Sequence, residues 1–399
     1  MADSVTYVAR PPSSAELVII GGGIVGAATA FYASQQGLRP LVVERRSAVC
    51  TLTTPASTGA FRLQFDNREE LEMVRESVEL FLNFAEMTGQ SAYEPGIRHQ
   101  GYLWLTTTEE GVERQRRLIA SQRDWGQDDI ELLSGDEVRR RFPFVAGSVL
   151  QARFRQQDGF LDPKQVTMGL LAGSGAAVVV GCAVTGFHIQ GGRVTGVETQ
   201  QGMIATGTAV IAAGPFSGVV TATAAVELPV VTVRRHKIVF PELPVVPADA
   251  PMIIDEETGA HWRPALHGAY ALLTDPSVPP TEPVEDVPPD YGHAFRVLHP
   301  DGPTSLARVA PFWREVWEHS GATWLMHSGQ YTVTPDHRPL LGSTAIEGLY
   351  VNTGYSGHGI MGSPAGSRHL LDVITGRIPE PENPFRLDRE FVKREMDLL

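Results

Sequence analysis

Residues 17–46 read LVIIGGGIVGAATAFYASQQGLRPLVVERR, and their spacing decides the fold. Residues 17–20 are a four-residue apolar run, the length of a buried parallel strand and too short for a helix. Gly21, Gly23 and Gly26 follow at once as G-x-G-x-x-G, with Ile24 and Val25 inside the motif. Residues 27–36 are alanine-rich and read as a helix stopped by Gly37, and the apolar run 41–43 ends in Glu44. The first glycine makes a tight turn, the second lets backbone approach a pyrophosphate, and the third lets the helix pack close on the strand. Phosphates then lie at the helix N-terminus, where free N–H groups and the helix dipole favour negative charge. Glu44 follows Gly26 at about the 20-residue spacing of a ribose-binding acid. Arg45 beside it is a further expected cofactor contact. Arg45 and Arg46 would suit a 2′-phosphate, but Glu44 repels one, so NADP is disfavoured.

Outside this unit, composition narrows the classes. At 399 residues the chain exceeds one small core, and two domains are the natural expectation. A net charge of −13 argues against nucleic acid and against an anionic membrane surface. No apolar stretch reaches membrane-spanning length. Lys164, Lys237 and Lys393 are the only lysines among 33 basic residues. Cys50 and Cys182, the only cysteines, form neither a disulfide framework nor a metal-ligand pattern. A reducing, cytoplasmic compartment fits them best. The first apolar run follows Glu16 and is broken by glycines, so it is not a signal peptide.

Along the chain, residues 1–14 are polar with a Pro-Pro pair and read as a loose leader. Residues 47–62, SAVCTLTTPASTGAFR, are too small and hydroxyl-rich for a stable helix. Leu71, Val74, Val78, Leu82 and Ala85 recur at helical spacing, which predicts one amphipathic helix over 68–88. A strand is expected at 101–106, a charged helix at 109–125, and a short helix opened by the capping box Ser134–Glu137. Residues 158–171 pass from a turn into a helix near Asp162-Pro163. A buried strand at 177–180, a meander over 184–199 and a strand at 209–213 feeding Gly214 return the chain to the first domain. Residues 226–275 alternate in the manner of an antiparallel sheet, 276–303 are a proline- and acid-rich excursion expected to be exposed, and 304–319 read as helix despite Pro311. In the last block Ser363 is the expected N-cap and Pro364 the first residue of a final helix, its dipole aimed at 357–361.

The block GQYTVTPDHRPLLGSTAIEGLYVNTGYSGHGIMGSPAGSRHLL, residues 329–371, resembles the C-terminal signature of the D-amino acid oxidase family of FAD-dependent oxidoreductases. Its pattern is that of the sarcosine- and dimethylglycine-oxidising branch, which includes the sarcosine oxidase β-subunit. GGGIVG, Glu44, STGAFR, DGFLDP, AVIAAGPFS and VRRHKIVF extend the resemblance over most of the chain. It implies an α/β (α+β) fold: a discontinuous Rossmann-like FAD-binding domain over 15–66, 146–222 and 328–385, and a substrate domain on a mixed or antiparallel sheet over 67–145 and 223–327. It favours FAD over NAD. Val184 would present backbone to adenine. Ser57, Thr58, Gly59, Ala213 and Gly214 would contact the cofactor, and the turn through Gly357, His358, Gly359, Ile360 and Met361 would lie against the flavin. Gly329 stands where some relatives carry the cysteine that links FAD, so non-covalent FAD is expected, with a histidyl link elsewhere as the alternative. Met361 replaces a lysine of sarcosine-handling relatives, and no lysine is evident beside the flavin.

The resemblance implies a soluble enzyme that oxidises the C–N bond of an amine or amino acid, with oxygen or another carrier as electron acceptor and homo- or hetero-oligomeric assembly. A 2-hydroxy acid oxidase and an FAD-binding electron-relay subunit are the rival readings. Arg62 is the expected carboxylate clamp, against a surface ion pair. His358 and Tyr331 are the other catalytic candidates, and Tyr331 either faces the cavity or packs in a strand. His236, His261, His267 and Tyr270 fall in the substrate sheet, and Cys50 reads as a buried filler rather than a redox thiol. No Ser-His-Asp order, HExxH pattern or metal site is present, as suits chemistry carried by a cofactor.

Overall fold

The computed structural model describes residues 4–318 and 321–392. Strands buried on both faces read as continuous apolar runs, and Leu17–Ile20, Pro40–Val43 and Ala209–Ile211 form the middle of a seven-stranded sheet. Its order is Thr6–Tyr7, Ala177–Val179, Pro40–Val43, Leu17–Ile20, Ala209–Ile211, Leu349–Thr353, Leu340–Ser343. All neighbours are parallel except the last pair. The helix Ile24–Gln35 starts directly after the glycine turn and crosses the sheet. It packs that closely because a Cβ on Gly26 would lie 1.9 Å from the Gly21 carbonyl oxygen. Residues 4–14 are not a loose leader: Thr6–Tyr7 supplies the edge strand, and the Val8 N–H donates to Val178 O at 3.0 Å. Residues 1–3 lie outside the described chain.

The second layer is an eight-stranded sheet in the order 325–333, 231–240, 268–273, 260–265, 252–255, 102–106, 151–155, 131–134. It is antiparallel apart from the parallel pair 252–255 and 102–106. Gln151–Arg155 and Leu325–Val333 therefore belong to this sheet, so the expected cofactor-domain segments 146–222 and 328–385 each carry part of the other layer. A three-stranded meander, 184–190, 193–199 and 202–205, packs under the first sheet.

Local signals were misleading at five places. The expected helix 68–88 is two, Arg68–Leu82 and Phe84–Thr88, separated at Asn83, whose amide caps Glu79 O. Thr53–Ala56 forms one helical turn within the hydroxyl-rich segment. Pro311 separates the 3-10 turn Leu306–Arg308 from the helix Phe312–Glu318, and His319 lies outside the described residues. The final helix, Gly359–Ile374, starts four residues before Ser363, with His358 as its N-cap and Pro364 inside it. Proline has no N–H, and the next donor, Ala365 N–H, turns outward to Ser77 Oγ at 3.1 Å, so the neighbouring helix absorbs the irregularity. Lastly, the 276–303 excursion folds back: Thr281 N–H donates to Thr232 O and Val284 N–H to Gln330 Oε1, both at 2.8 Å.

Among the described residues no helix is long and apolar enough to cross a membrane, and no group of His, Cys, Asp and Glu could hold a metal ion.

Candidate active site

Two cavities meet between the layers. The first, ≈ 390 Å³, is lined by Gly21, Gly23, Ile24, Val25, Glu44, Arg45, Ser57, Val184, Ala213, Gly214, Gly357, Gly359 and Ile360 of the expected cofactor residues. The second, ≈ 300 Å³, holds Arg62, Thr58, His358 and Met361. Ser57, Tyr331, Ser356 and Gly357 line both and form their common wall. Two expected contacts reach neither cavity. Gly26 serves helix packing alone, and Gly59 is held at φ +69° against the Leu161 carbonyl. Thr58, His358 and Met361 face only the second cavity.

The first cavity gathers most of the residues expected to cradle a dinucleotide. A Cβ on Gly22 would sit 2.7 Å from Val49, and Gly21 at φ +119° abuts Ala212 O. Side chains at these positions would collide with the neighbouring strand end and with Val49 and Glu44, so only glycine lets the turn close this tightly. Thr54 Oγ1 accepts Ile24 N–H at 3.1 Å, steadying the first turn of the helix; its role is invisible in the sequence because 30 residues separate the partners. Glu44 Oε2 accepts Gly22 N–H and Oε1 accepts Arg46 N–H, both at 2.7 Å. Burial raises the Glu44 carboxyl's pKa, partly countered by those N–H groups. At the far end, Gly359 and Ile360 open the final helix, and their N–H groups, lacking intrahelical acceptors, aim positive potential at the common wall.

The proline-rich excursion covers this cradle. Glu285 forms ion pairs with Arg45 and Arg46, whose guanidinium also donates to Glu285 O at 3.1 Å, and Arg45 stacks on Phe216. Pro276, Val278 and Pro280 wall the second cavity. Cys50 lines the first cavity as a thiol that burial pushes up to about 11, consistent with a filler.

In the second cavity Arg62 is buried, which removes the surface ion-pair alternative. Its Nη1 donates to Gln64 O at 3.2 Å, Nη2 lies 3.1 Å from His358 Nε2, and its guanidinium stacks on Phe65 and Trp104. A guanidinium only donates, so Nε2 of His358 is the acceptor and the ring proton sits on Nδ1, 3.1 Å from Glu70 Oε1. Burial would raise the Glu70 carboxyl, but His358, Asn67 and Arg62 outweigh it and hold it below the usual range. The result is a buried row, Glu70–His358–Arg62, in which His358 comes from nearly 300 residues further along the chain than its two partners. Tyr331 faces the cavities and is not a mere packing residue; its ring fills the space beside Gly357, where a Cβ would lie 2.8 Å away. Of the strand histidines, only His261 reaches the cavity; His236 bonds Ser328 Oγ and packs on His293, and His267 is exposed. Tyr270 packs under Lys237 and Arg263.

Two side chains were missed. Lys237 Nζ donates to Ser57 O at 2.7 Å, so a lysine does stand behind the common wall; burial, then Arg263 and Lys164, lower its pKa to about 7. Arg235 lines the second cavity. Period-two alternation from Val231 and Val233, both also lining it, would have indicated this face of the strand had the cavity been known.

Residues 16–373 match the family described as DAO, FAD dependent oxidoreductase. Similar proteins include mitochondrial dimethylglycine dehydrogenase of Mus musculus, 24% identical over 92% of this chain and 43% of that protein. Sarcosine oxidase subunit beta of Arthrobacter sp is 25% identical over 95% and 92%. The chain thus spans less than half of the dimethylglycine dehydrogenase it matches. Among solved structures, L-proline dehydrogenase from P.horikoshii superposes with a TM-score of 0.82, at 26% identity over 95% of this chain and 99% of that one.

Proposed function

Given that the chain belongs to the DAO family of FAD dependent oxidoreductases, we propose that it oxidises the C–N bond of an amino acid, secondary N-alkyl or cyclic ones first, to an imine that water hydrolyses. The observation that carries this reading is Arg62, buried in a cavity that shares a wall with the dinucleotide cradle. A fixed guanidinium there grips a carboxylate and leaves the adjacent carbon at the common wall. FAD, held by the 21–26 turn, Glu44, Ala213–Gly214 and the start of the 359–374 helix, supplies the two-electron acceptor. The His358 ring keeps Arg62 in place, and Glu70 keeps the ring. Among the described residues no Asp or Glu lines the second cavity, so no carboxylate base stands beside the amine.

The test is anaerobic bleaching of the flavin by a panel of N-alkyl and cyclic amino acids against 2-hydroxy acids. Bleaching by the amino acids supports the reading; bleaching by hydroxy acids alone overturns it. Met361 places an apolar thioether where a second small-substrate contact would otherwise stand, which leaves room for bulk. Sarcosine is therefore expected to be poorer than a bulkier N-alkyl or cyclic amino acid by about tenfold or more in kcat/KM, about 1.4 kcal/mol. Sarcosine as the best substrate would contradict it.

The cofactor is proposed to be bound without a covalent link. Gly329 pairs with Arg235 in the large sheet, and a Cβ on it would sit 2.8 Å from Ala56 Cβ. Acid precipitation is expected to release the yellow colour into the supernatant. Flavin retained by the washed pellet would show a linkage.

A further inference from the structure

We propose that the second cavity is built for a dicarboxylate, a secondary amine whose nitrogen lies between two carboxylate-bearing arms, with Arg62 holding one carboxylate and Arg235 the other. This rests on the C–N oxidation reading and names its substrate class.

Several buried arginines of this protein are held in ion pairs with buried carboxylates. Arg153 meets Glu256 at 2.6 Å, Arg155 meets Asp158 at 2.7 Å and Arg389 meets Asp336 at 2.8 Å. Arg263 is satisfied by the Thr58 and Pro264 carbonyls. Arg235 has no such partner. Its Nη1 donates to Arg234 O at 3.1 Å, its guanidinium lies 5.8 Å from the Tyr331 ring, and its buried Nε bonds nothing among the described residues. Burial lowers its pKa, with Tyr331 and Asp275 opposing; Asp275 is itself engaged by the Ser277 N–H and hydroxyl. A half-buried guanidinium with an idle donor is a costly group that an incoming anion would relieve.

The cavity's charge points the same way. Among the described residues Arg62 and Arg235 line it together with His261, His337 and His358, and no Asp or Glu does. His261, its Nδ1 2.8 Å from Gly259 O, is kept neutral down to about pH 4 by burial and adds no charge of either sign. A second carboxylate on the substrate would meet the Arg235 guanidinium, which forms no ion pair among the described residues. Between the charged ends the walls are apolar, with Val231, Val233, Met252, Val278 and Met361.

Placement then decides where the second carboxylate sits. Arg62 touches His358, next to Gly357, and Arg235 lies by the Tyr331 ring, which itself packs on Gly357. Gly357 and Tyr331 belong to the wall shared with the cofactor cradle. A ligand anchored at both ends therefore carries its middle past that wall. An N-carboxyalkyl amino acid has its C–N bonds in its middle. Oxidation removes a hydride from the carbon and a proton from the nitrogen, passing two electrons to bound FAD. Water then hydrolyses the imine to a primary amino acid and a 2-oxo acid.

The experiment uses the FAD-loaded protein and two matched pairs. N-(carboxymethyl)alanine and N-ethylalanine differ by one carboxylate and are compared in kcat/KM. Thiodiglycolate and (ethylthio)acetate, unreactive thioethers with the same difference, are compared by perturbation of the flavin spectrum. The dicarboxylate is expected to be preferred by ~30-fold or more in both pairs, and Arg235→Leu to bring both ratios below ~3, with Arg235→Lys between. A ratio near one in the wild type, or ratios unmoved by Arg235→Leu in a variant that keeps its flavin spectrum, would overturn the proposal. Preference among the thioethers with no bleaching by either amine would instead uphold the dicarboxylate site and remove the C–N reading. Bleaching by both amines without preference would do the reverse.

Discussion

Replacing Arg62 with alanine is expected to lower kcat/KM for the best amino acid substrate by about 10³-fold, about 4 kcal/mol of transition-state stabilisation. The size follows from burial. Arg62 is 4% exposed and lies against Phe65 and Trp104, so a carboxylate meeting it sheds its water in a buried setting. Losing one partner of a buried, hydrogen-bonded charge pair costs about 2–5 kcal/mol. Arg62→Lys keeps the charge but loses the planar fork and the contact with His358, and should recover only part of the activity. Retention of the FAD spectrum in both variants separates loss of substrate grip from loss of fold. Unchanged kcat/KM in Arg62→Ala would mean that the carboxylate lies elsewhere.

The second large effect concerns the cofactor. Glu44→Ala should weaken FAD binding by about 10²-fold, since two charge-assisted hydrogen bonds to the ribose, each about 1.5–3 kcal/mol at most, are lost and water replaces part of them. Glu44 also ties Gly22 and Arg46 N–H groups together across the turn. Its loss therefore loosens the cradle as well as removing acceptors, and Glu44→Gln, which keeps one acceptor oxygen, should fall between. Titration of apoprotein with FAD, followed by flavin fluorescence, measures this, while a thermal melt of the apoprotein checks the fold. Equal affinity for wild type and Glu44→Ala would place the ribose away from this carboxylate.

The fold was legible where one physical demand dominates a short stretch. In residues 17–46 the demands are sterics and burial. Only glycine permits φ +119° at position 21 or the 1.9 Å approach at position 26, and only unbroken apolar runs suit strands covered on both faces. The capping box at Ser134 is equally local, complete within four residues, and forms as read, and the helix expected near Asp162-Pro163 starts at Pro163 with Asp162 as its cap. Ser363-Pro364 carried the same kind of signal and misled. Its helix is held from outside by Tyr355, Ser77 and the helices 24–35 and 68–82, and those contacts carry the helix back to Gly359.

What sequence alone determined, then, is the first layer's framework: its glycine turn, the apolar runs of its strands, and the family pattern that names the cofactor. Sequence named Arg62, His358 and Tyr331, but only tertiary structure showed how they are connected and what else lines their cavity. Glu70, His358 and Arg62 are separated by up to 296 residues yet form one row. Arg235 acquires meaning only because strand pairing sets it opposite Gly329 and beside Tyr331, with no carboxylate folded against it. The physical reason is range. Steric and capping rules act over a few residues and leave a spacing in the chain. The pairing of a buried charge depends on everything the fold brings within a few ångströms, and among 33 basic residues no spacing in the chain marks Arg235 as one that lines a cavity with no carboxylate paired to it among the described residues.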